Sequence, residues 1–183
     1  MGKPRANAAV VVASLGRAQR ARVVLSRADM RDPVLACIGL GANLGEAAQQ
    51  VRHAAQALSR AEGCEDLQLS RLYRSAPHEA SGPDYVNAVA TLQTRLTAPQ
   101  LLRLLQRLEA AAGRERPYLN APRTLDLDLL FYGDARMDSP DLQLPHPRWA
   151  SRAFVLFPLQ DVCPHRVTAA MLASVSGQSI YPL

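Results

Sequence analysis

The stretch PRTLDLDLLFYGD, residues 122–134, sets two aspartates two positions apart inside an apolar run. Successive side chains of a strand point to opposite faces. Leu125, Leu127 and Leu129 therefore go to a core, while Asp126 and Asp128 share the other face with Thr124. The strand rise places the two aspartates about 6–7 Å apart at Cα. Like charges that close repel, and desolvation raises the cost, so something cationic normally offsets them. Two sources of that charge are open: arginines paired to an exposed strand face, or a divalent metal. Hard carboxylate oxygens at this spacing suit Mg2+, which keeps several waters and completes its shell with substrate phosphates. Arg114, Arg116 and Arg123 precede the pair, and His146, Arg148 and Arg152 follow it. Carboxylates to hold metal and guanidiniums to clamp phosphate oxygens are the inventory of a polyphosphate site.

Outward from this strand the chain mixes helices and strands without strict alternation. VLACIGLG (34–41) reads as a short buried strand closed by glycines that turn the chain into a helix over 46–61. That helix carries Val51, Ala54, Ala55, Leu58 and Ala61 on one stripe, and Gly63 stops it. LQLSRLY (67–73) reads as a strand and 74–84 as a loop. YVNAVATLQT (85–94) alternates, with Val86, Ala88, Ala90 and Leu92 on one face. Residues 97–113 form the clearest helix, capped by Thr97, with Pro99 in its first turn and Leu101, Leu104, Leu105, Leu108 and Ala112 inward. Residues 144–152 read as a loop and AFVLFPLQDV (153–162) mostly as strand. The pattern predicts an α+β fold with a mostly antiparallel sheet.

At 183 residues the chain suits one domain with a sizeable core. The net charge of +5 suggests a nucleic-acid partner until it is located. Residues 1–33 hold seven basic and two acidic residues, and residues 34–183 hold fourteen of each. The basic excess thus belongs to an N-terminal segment, and no nucleic-acid partner is expected. Residues 1–33 are expected to be a basic, disordered leader, with Met30 an alternative start, and 34–183 the domain; being Arg-rich and acid-poor, the leader also reads as a transit segment. No apolar run approaches the roughly 20 residues of a membrane helix, so no membrane partner is expected. Three cysteines without metal-ligand spacing favour reduced thiols and a cytoplasmic location.

The string APRTLDLDLLFYGD, followed by LPHPRWASRAFVLFPLQDV, resembles the signature of the 6-hydroxymethyl-7,8-dihydropterin pyrophosphokinase family. CIGLGANLG, LYRSAP, GPDYVNAV and LLQRLEAAAGR resemble that family in order, so the likeness runs over roughly 34–165. It implies a single-domain α-β-α sandwich of ferredoxin-like type, with a mostly antiparallel sheet flanked by helices. It implies transfer of pyrophosphate from ATP to the hydroxymethyl group of a reduced pterin, with release of AMP, in folate biosynthesis. Two Mg2+ ions held by Asp126 and Asp128, ATP as co-substrate and a monomer acting on small molecules are expected with it. By the same resemblance Arg114 and Arg123 stabilise the transferring charge, and Gln106, Glu109, Arg116, His146 and Arg152 contact the nucleotide. Tyr85 and Phe154 sandwich the pterin, Asn87 reads its hydrogen-bonding edge, and Ser75, Ala76 and His78 line its pocket. Leu119, Asn120 and Pro147 depart from residues common in the family.

Two other readings are weaker. GLGANLG suggests a dinucleotide-binding loop, but the third glycine of that fingerprint would fall at Leu44, and Gly45 is one residue late. An RNA-binding module is disfavoured by the neutral domain and the lack of an aromatic-basic strand motif.

Overall fold

The computed structural model describes residues 31–77, 82–113 and 124–183. Residues 1–30 of the leader predicted over 1–33, and Arg114, Arg116, Arg123, Leu119, Asn120 and His78, lie outside the described residues. The elements run β1 (Val34–Ala42), α1 (Ala47–Ser59), β2 (Cys64–Leu69), β3 (Tyr73–Ser75), β4 (Tyr85–Thr94), α2 (Ala98–Ala111), β5 (Asp126–Tyr132), β6 (Met137–Asp138), β7 (Gln143–Leu144), α3 (Ala153–Val162), α4 (Ala169–Ser174) and β8 (Ile180–Pro182). The main sheet has the order β5-β1-β4-β3-β8, with β2 also on β4, and every pair in it is antiparallel. With β2 and β3 taken as one interrupted strand, β1 to β5 trace the β-α-β-β-α-β path of a ferredoxin-like fold.

Helices cover both faces. On one, Ile38, Leu40, Leu92, Leu127 and Leu129 pack against Val51 and Leu58 of α1 and Leu101 and Leu105 of α2. Each fully buried leucine there contributes about 1.5–3 kcal/mol. Thr97 accepts from the Gln100 N–H at 3.3 Å while the Gln100 side chain accepts from the Thr97 N–H at 2.8 Å. This reciprocal cap satisfies two N–H groups that the helix start leaves unpaired and contributes about 1 kcal/mol. On the other face, Cys37, Val89, Leu130 and Phe131 pack against Val155 and Leu159 of α3.

The structure departs from the sequence reading in three places. Residues 153–162, expected as mostly strand, form α3, in which Val155 and Leu159 face the sheet while Ala153 and Leu156 pack with Val175. A helix apolar on both sides has no clear period, and a short apolar run cannot be told from a buried strand by pattern alone. Pro158 inside it removes one helical N–H. The strand expected over 67–73 is broken. Ser70 Oγ accepts the Val89 N–H at 3.0 Å, a side chain in place of a backbone rung, and pairing resumes at Tyr73, the last residue of the expected strand, and runs on to Ser75 in the expected loop. Gly39 and Gly41 lie within β1 and make no turn; Gly45, at φ +58°, takes the left-handed conformation that follows.

Candidate active site

The register between β5 and β1 sets Asp126 opposite Gly41 and Asp128 opposite Gly39. Across β1, Gly41 stands opposite Asn87 of β4, which in turn stands opposite Tyr73 of β3. A Cβ on Gly41 would lie 3.4 Å from Asn87 Oδ1, and one on Gly39 would lie 3.6 Å from Leu130. Gly41 leaves a floor without a side chain between Asp126 and the Asn87 amide, while the Leu130 side chain packs over Gly39. Glycine inside a strand often marks such a place of close approach. Both aspartates are half-buried on this face of the sheet, while Leu125, Leu127 and Leu129 are buried on the opposite face, as the strand period predicts.

The pair is braced from behind. Glu109 of α2 is 4% exposed, and its Oε1 accepts the backbone N–H of Leu127 at 2.7 Å. Gln106, one turn earlier, is exposed. The His146 N–H donates to the Leu130 carbonyl at 3.0 Å, fixing the loop after β7 to β5. His146 Nδ1 accepts the Arg148 N–H at 3.2 Å, so the neutral ring carries its proton on Nε2. Burial lowers the His146 pKa; Asp128 and Asp126 oppose that, Arg152 and Arg148 add to it, and the net shift is downward. His146 therefore sits within the field of both aspartates and of Arg152. The Arg152 guanidinium also lies over the Phe154 ring, 5.3 Å from its centroid. One arginine thus joins the carboxylate end of the site to its aromatic end.

At that aromatic end Asn87 Nδ2 donates to Ser75 Oγ at 3.0 Å, both residues being buried. Tyr85 stands opposite Ser75 in the ladder, and shares the Asn87 face of β4 by strand alternation. Ser75, Ala76, Pro77 and Phe154 line a cavity of about 290 Å³ whose far wall is Gly177, Gln178 and Ser179. The structure thus brings Asp126, Asp128, His146 and Arg152 together at one end and Ser75, Ala76, Asn87 and Phe154 at the other. The 177–179 wall carried no signal in the sequence. Neither did the joint in which Asp161 of α3 accepts from Arg71 at 2.7 Å and from the Tyr73 hydroxyl at 3.0 Å. All three cysteines are free and buried, and burial together with neighbouring Cys163 pushes the Cys37 thiol up to about 12. Among the described residues no three His, Cys, Asp or Glu side chains converge on a metal position, so Asp126 and Asp128 stand as a two-carboxylate set.

Such an arrangement suits a metal-bound anionic group at the carboxylate end and a flat ring with polar edges at the other. Residues 37–164 match the 7,8-dihydro-6-hydroxymethylpterin-pyrophosphokinase (HPPK) family. The chain is 40% identical over 129 residues to 2-amino-4-hydroxy-6-hydroxymethyldihydropteridine pyrophosphokinase of Synechocystis, covering 70% of this chain and 66% of that one. It is 42% identical over 128 residues to the protein of the same name from Pseudomonas aeruginosa, covering 69% and 79%. It is 40% identical over 141 residues to the folic acid synthesis protein fol1 of Pneumocystis carinii, covering 75% of this chain and 19% of the much longer fungal one. The fold resembles a crystal structure of an HPPK-DHPS in complex with substrates, at TM-score 0.60 and 10% identity, over 80% of this chain and 43% of that one. The chain belongs to the 7,8-dihydro-6-hydroxymethylpterin-pyrophosphokinase family. Among the described residues no helix is long and apolar enough to cross a membrane.

Proposed function

We propose that this chain transfers the pyrophosphoryl group of ATP to 6-hydroxymethyl-7,8-dihydropterin, releasing AMP, as a step of folate biosynthesis. The observation that carries the reading is the floor at Gly41: Asp126, which shares its strand face with Asp128, faces Gly41, and Gly41 faces Asn87. The pterin hydroxymethyl oxygen attacks the β-phosphorus, the bond from that phosphorus to the α-phosphate oxygen breaks, AMP leaves with the electron pair, and the hydroxyl proton is released. Such a transfer asks for positioning and charge stabilisation rather than a protein nucleophile, in keeping with the buried, unreactive thiols.

Two carboxylates and no further described protein ligand form a donor set that suits Mg2+ completed by water and phosphate oxygens. Bound there, Mg2+ supplies neutralisation of the phosphate charge. Asp126 and Asp128 hold it, two ions being the expected number. Arg152 and His146 contact the nucleotide beside the carboxylates, and Arg114, Arg116 and Arg123 add charge from the segment before β5. Gln106, which is exposed, contacts the ribose, whereas Glu109, expected beside it, is buried with its carboxylate on the Leu127 N–H and acts on the site through β5. Asn87, its amide oriented by Ser75, reads the polar edge of the pterin, which stacks between Tyr85 and Phe154. His78 and Ala76 complete the pocket. The protein acts as a cytoplasmic monomer.

The test is an assay of the purified chain with ATP, Mg2+ and the pterin, following nucleotide products. AMP formed only when both pterin and Mg2+ are present is the expected result. ADP in its place would overturn the proposal, since the γ-phosphoryl group alone would then be moving.

A further inference from the structure

The amide of Gln178 bridges two backbone groups on either side of Arg152. Its Oε1 accepts the Ala153 N–H at 2.8 Å, and its Nε2 donates to the Ser151 carbonyl at 2.8 Å. Ala153 opens α3, and Arg152 gives that helix no side-chain cap. Ser151 closes the short 3-10 turn Trp149–Ser151. A side chain 25 residues away thus satisfies both the first donor of the helix and the last acceptor of the turn. Arg152 lies between the two clamped groups, and Phe154 follows directly. The same segment, Gly177–Ser179, forms the cavity wall across from Ser75–Pro77 and Phe154.

We infer that Gln178 is a positioning residue for substrate binding: it holds the turn-to-helix junction from which Phe154 and Arg152 project, and its segment closes the ring-binding cavity. The inference rests on the proposed pterin reading of that cavity. Without the clamp the junction loses two hydrogen bonds, and the Phe154 ring loses its fixed distance from the Ser75 wall. A ring-binding slot tolerates little widening, because stacking contacts weaken steeply with separation.

The test compares KM for pterin, KM for ATP and kcat in wild type, Gln178→Met and Phe154→Ala. Methionine keeps the side-chain volume and removes both hydrogen bonds. A purely structural role would lower the folded fraction and so the apparent kcat, but would leave KM unmoved. The expected result is a rise of about tenfold in pterin KM for Gln178→Met, with a smaller change in ATP KM. An unchanged pterin KM in folded Gln178→Met, alongside a raised one in Phe154→Ala, would overturn the positioning role and leave the pterin reading standing. An unchanged pterin KM in Phe154→Ala would overturn the pterin reading of the cavity itself. Should Gln178→Met fail to fold, Gly177→Leu decides: a Cβ there meets nothing within 4 Å, so the fold accepts it. A side chain added to that wall raises pterin KM if the segment closes the pocket, and an unchanged KM overturns the inference.

Discussion

Glu109 holds the backbone N–H of Leu127 in a 2.7 Å hydrogen bond, and Leu127 is the residue between the two aspartates. A buried carboxylate of α2 is thereby spent on the part of β5 that sets the spacing of Asp126 and Asp128. Glu109→Ala leaves that N–H without its partner and is expected to cost about 1–3 kcal/mol. Glu109→Gln keeps an acceptor and should cost less. Urea denaturation of the two variants measures the order, and equal losses would show that the hydrogen bond is not what matters.

Asp126→Asn and Asp128→Asn are each expected to lower AMP formation by at least about a hundredfold at saturating substrates. Their denaturation midpoints should stay near that of wild type, because the change is on the floor of the site and not in the core. Chelation with EDTA should silence the wild-type enzyme, and added Mg2+ should restore it. Wild-type activity in either variant would remove the carboxylate pair from the site.

Gly41→Val should fold and fail to bind substrate. The Cβ itself meets only ordinary contact with Asn87 Oδ1 at 3.4 Å, and Gly41 has no left-handed backbone to strain. The added methyl groups would stand on the floor between Asp126 and Asn87. Calorimetric titration with pterin is expected to show weakened binding, with a melting temperature close to wild type; unchanged binding would mean the floor is not used.

Burial pushes the Asp161 carboxyl upward, but hydrogen bonds from the Arg71 guanidinium, the Tyr73 hydroxyl and the Arg71 N–H outweigh it and hold the pKa below the usual 3.8. A lowered folded-state pKa means that the ionised form stabilises the fold. That contribution is complete above pH 3.8 and is lost as pH falls through the folded-state value. Asp161→Asn should therefore be less stable than wild type at pH 7, with the gap narrowing as pH falls below about 4. Denaturation midpoints from pH 7 to pH 3 measure the gap. One that stayed constant would show that the carboxylate charge is not its source.

Much of the fold was readable in short stretches. The stripe of α2 and its Thr97–Gln100 cap, the limits of β1 and β4, and the alternation of β5 all follow from interactions within a few residues. Where partners lay far away the reading failed. Ser70 breaks the strand after β2 because it reaches Val89, nineteen residues on. α3 hides its helical period because the sheet covers one side and the Val175 region the other. Gly39 and Gly41 looked like turn residues because nothing local shows that Asp128 and Asp126 stand across from them.

The sequence by itself determined that Asp126 and Asp128 would share a face with leucines on the other, because the two-residue period of a strand is a property of its own backbone. It also determined the family, through motifs that are contiguous in the chain. Only the tertiary structure decided what the aspartates look onto, that Arg152 spans the two ends of the site, and that Gln178 clamps the junction beneath Phe154. Those relations depend on strand register and on contacts between residues tens of positions apart, which exist only once the sheet has paired and both helical layers have closed over it.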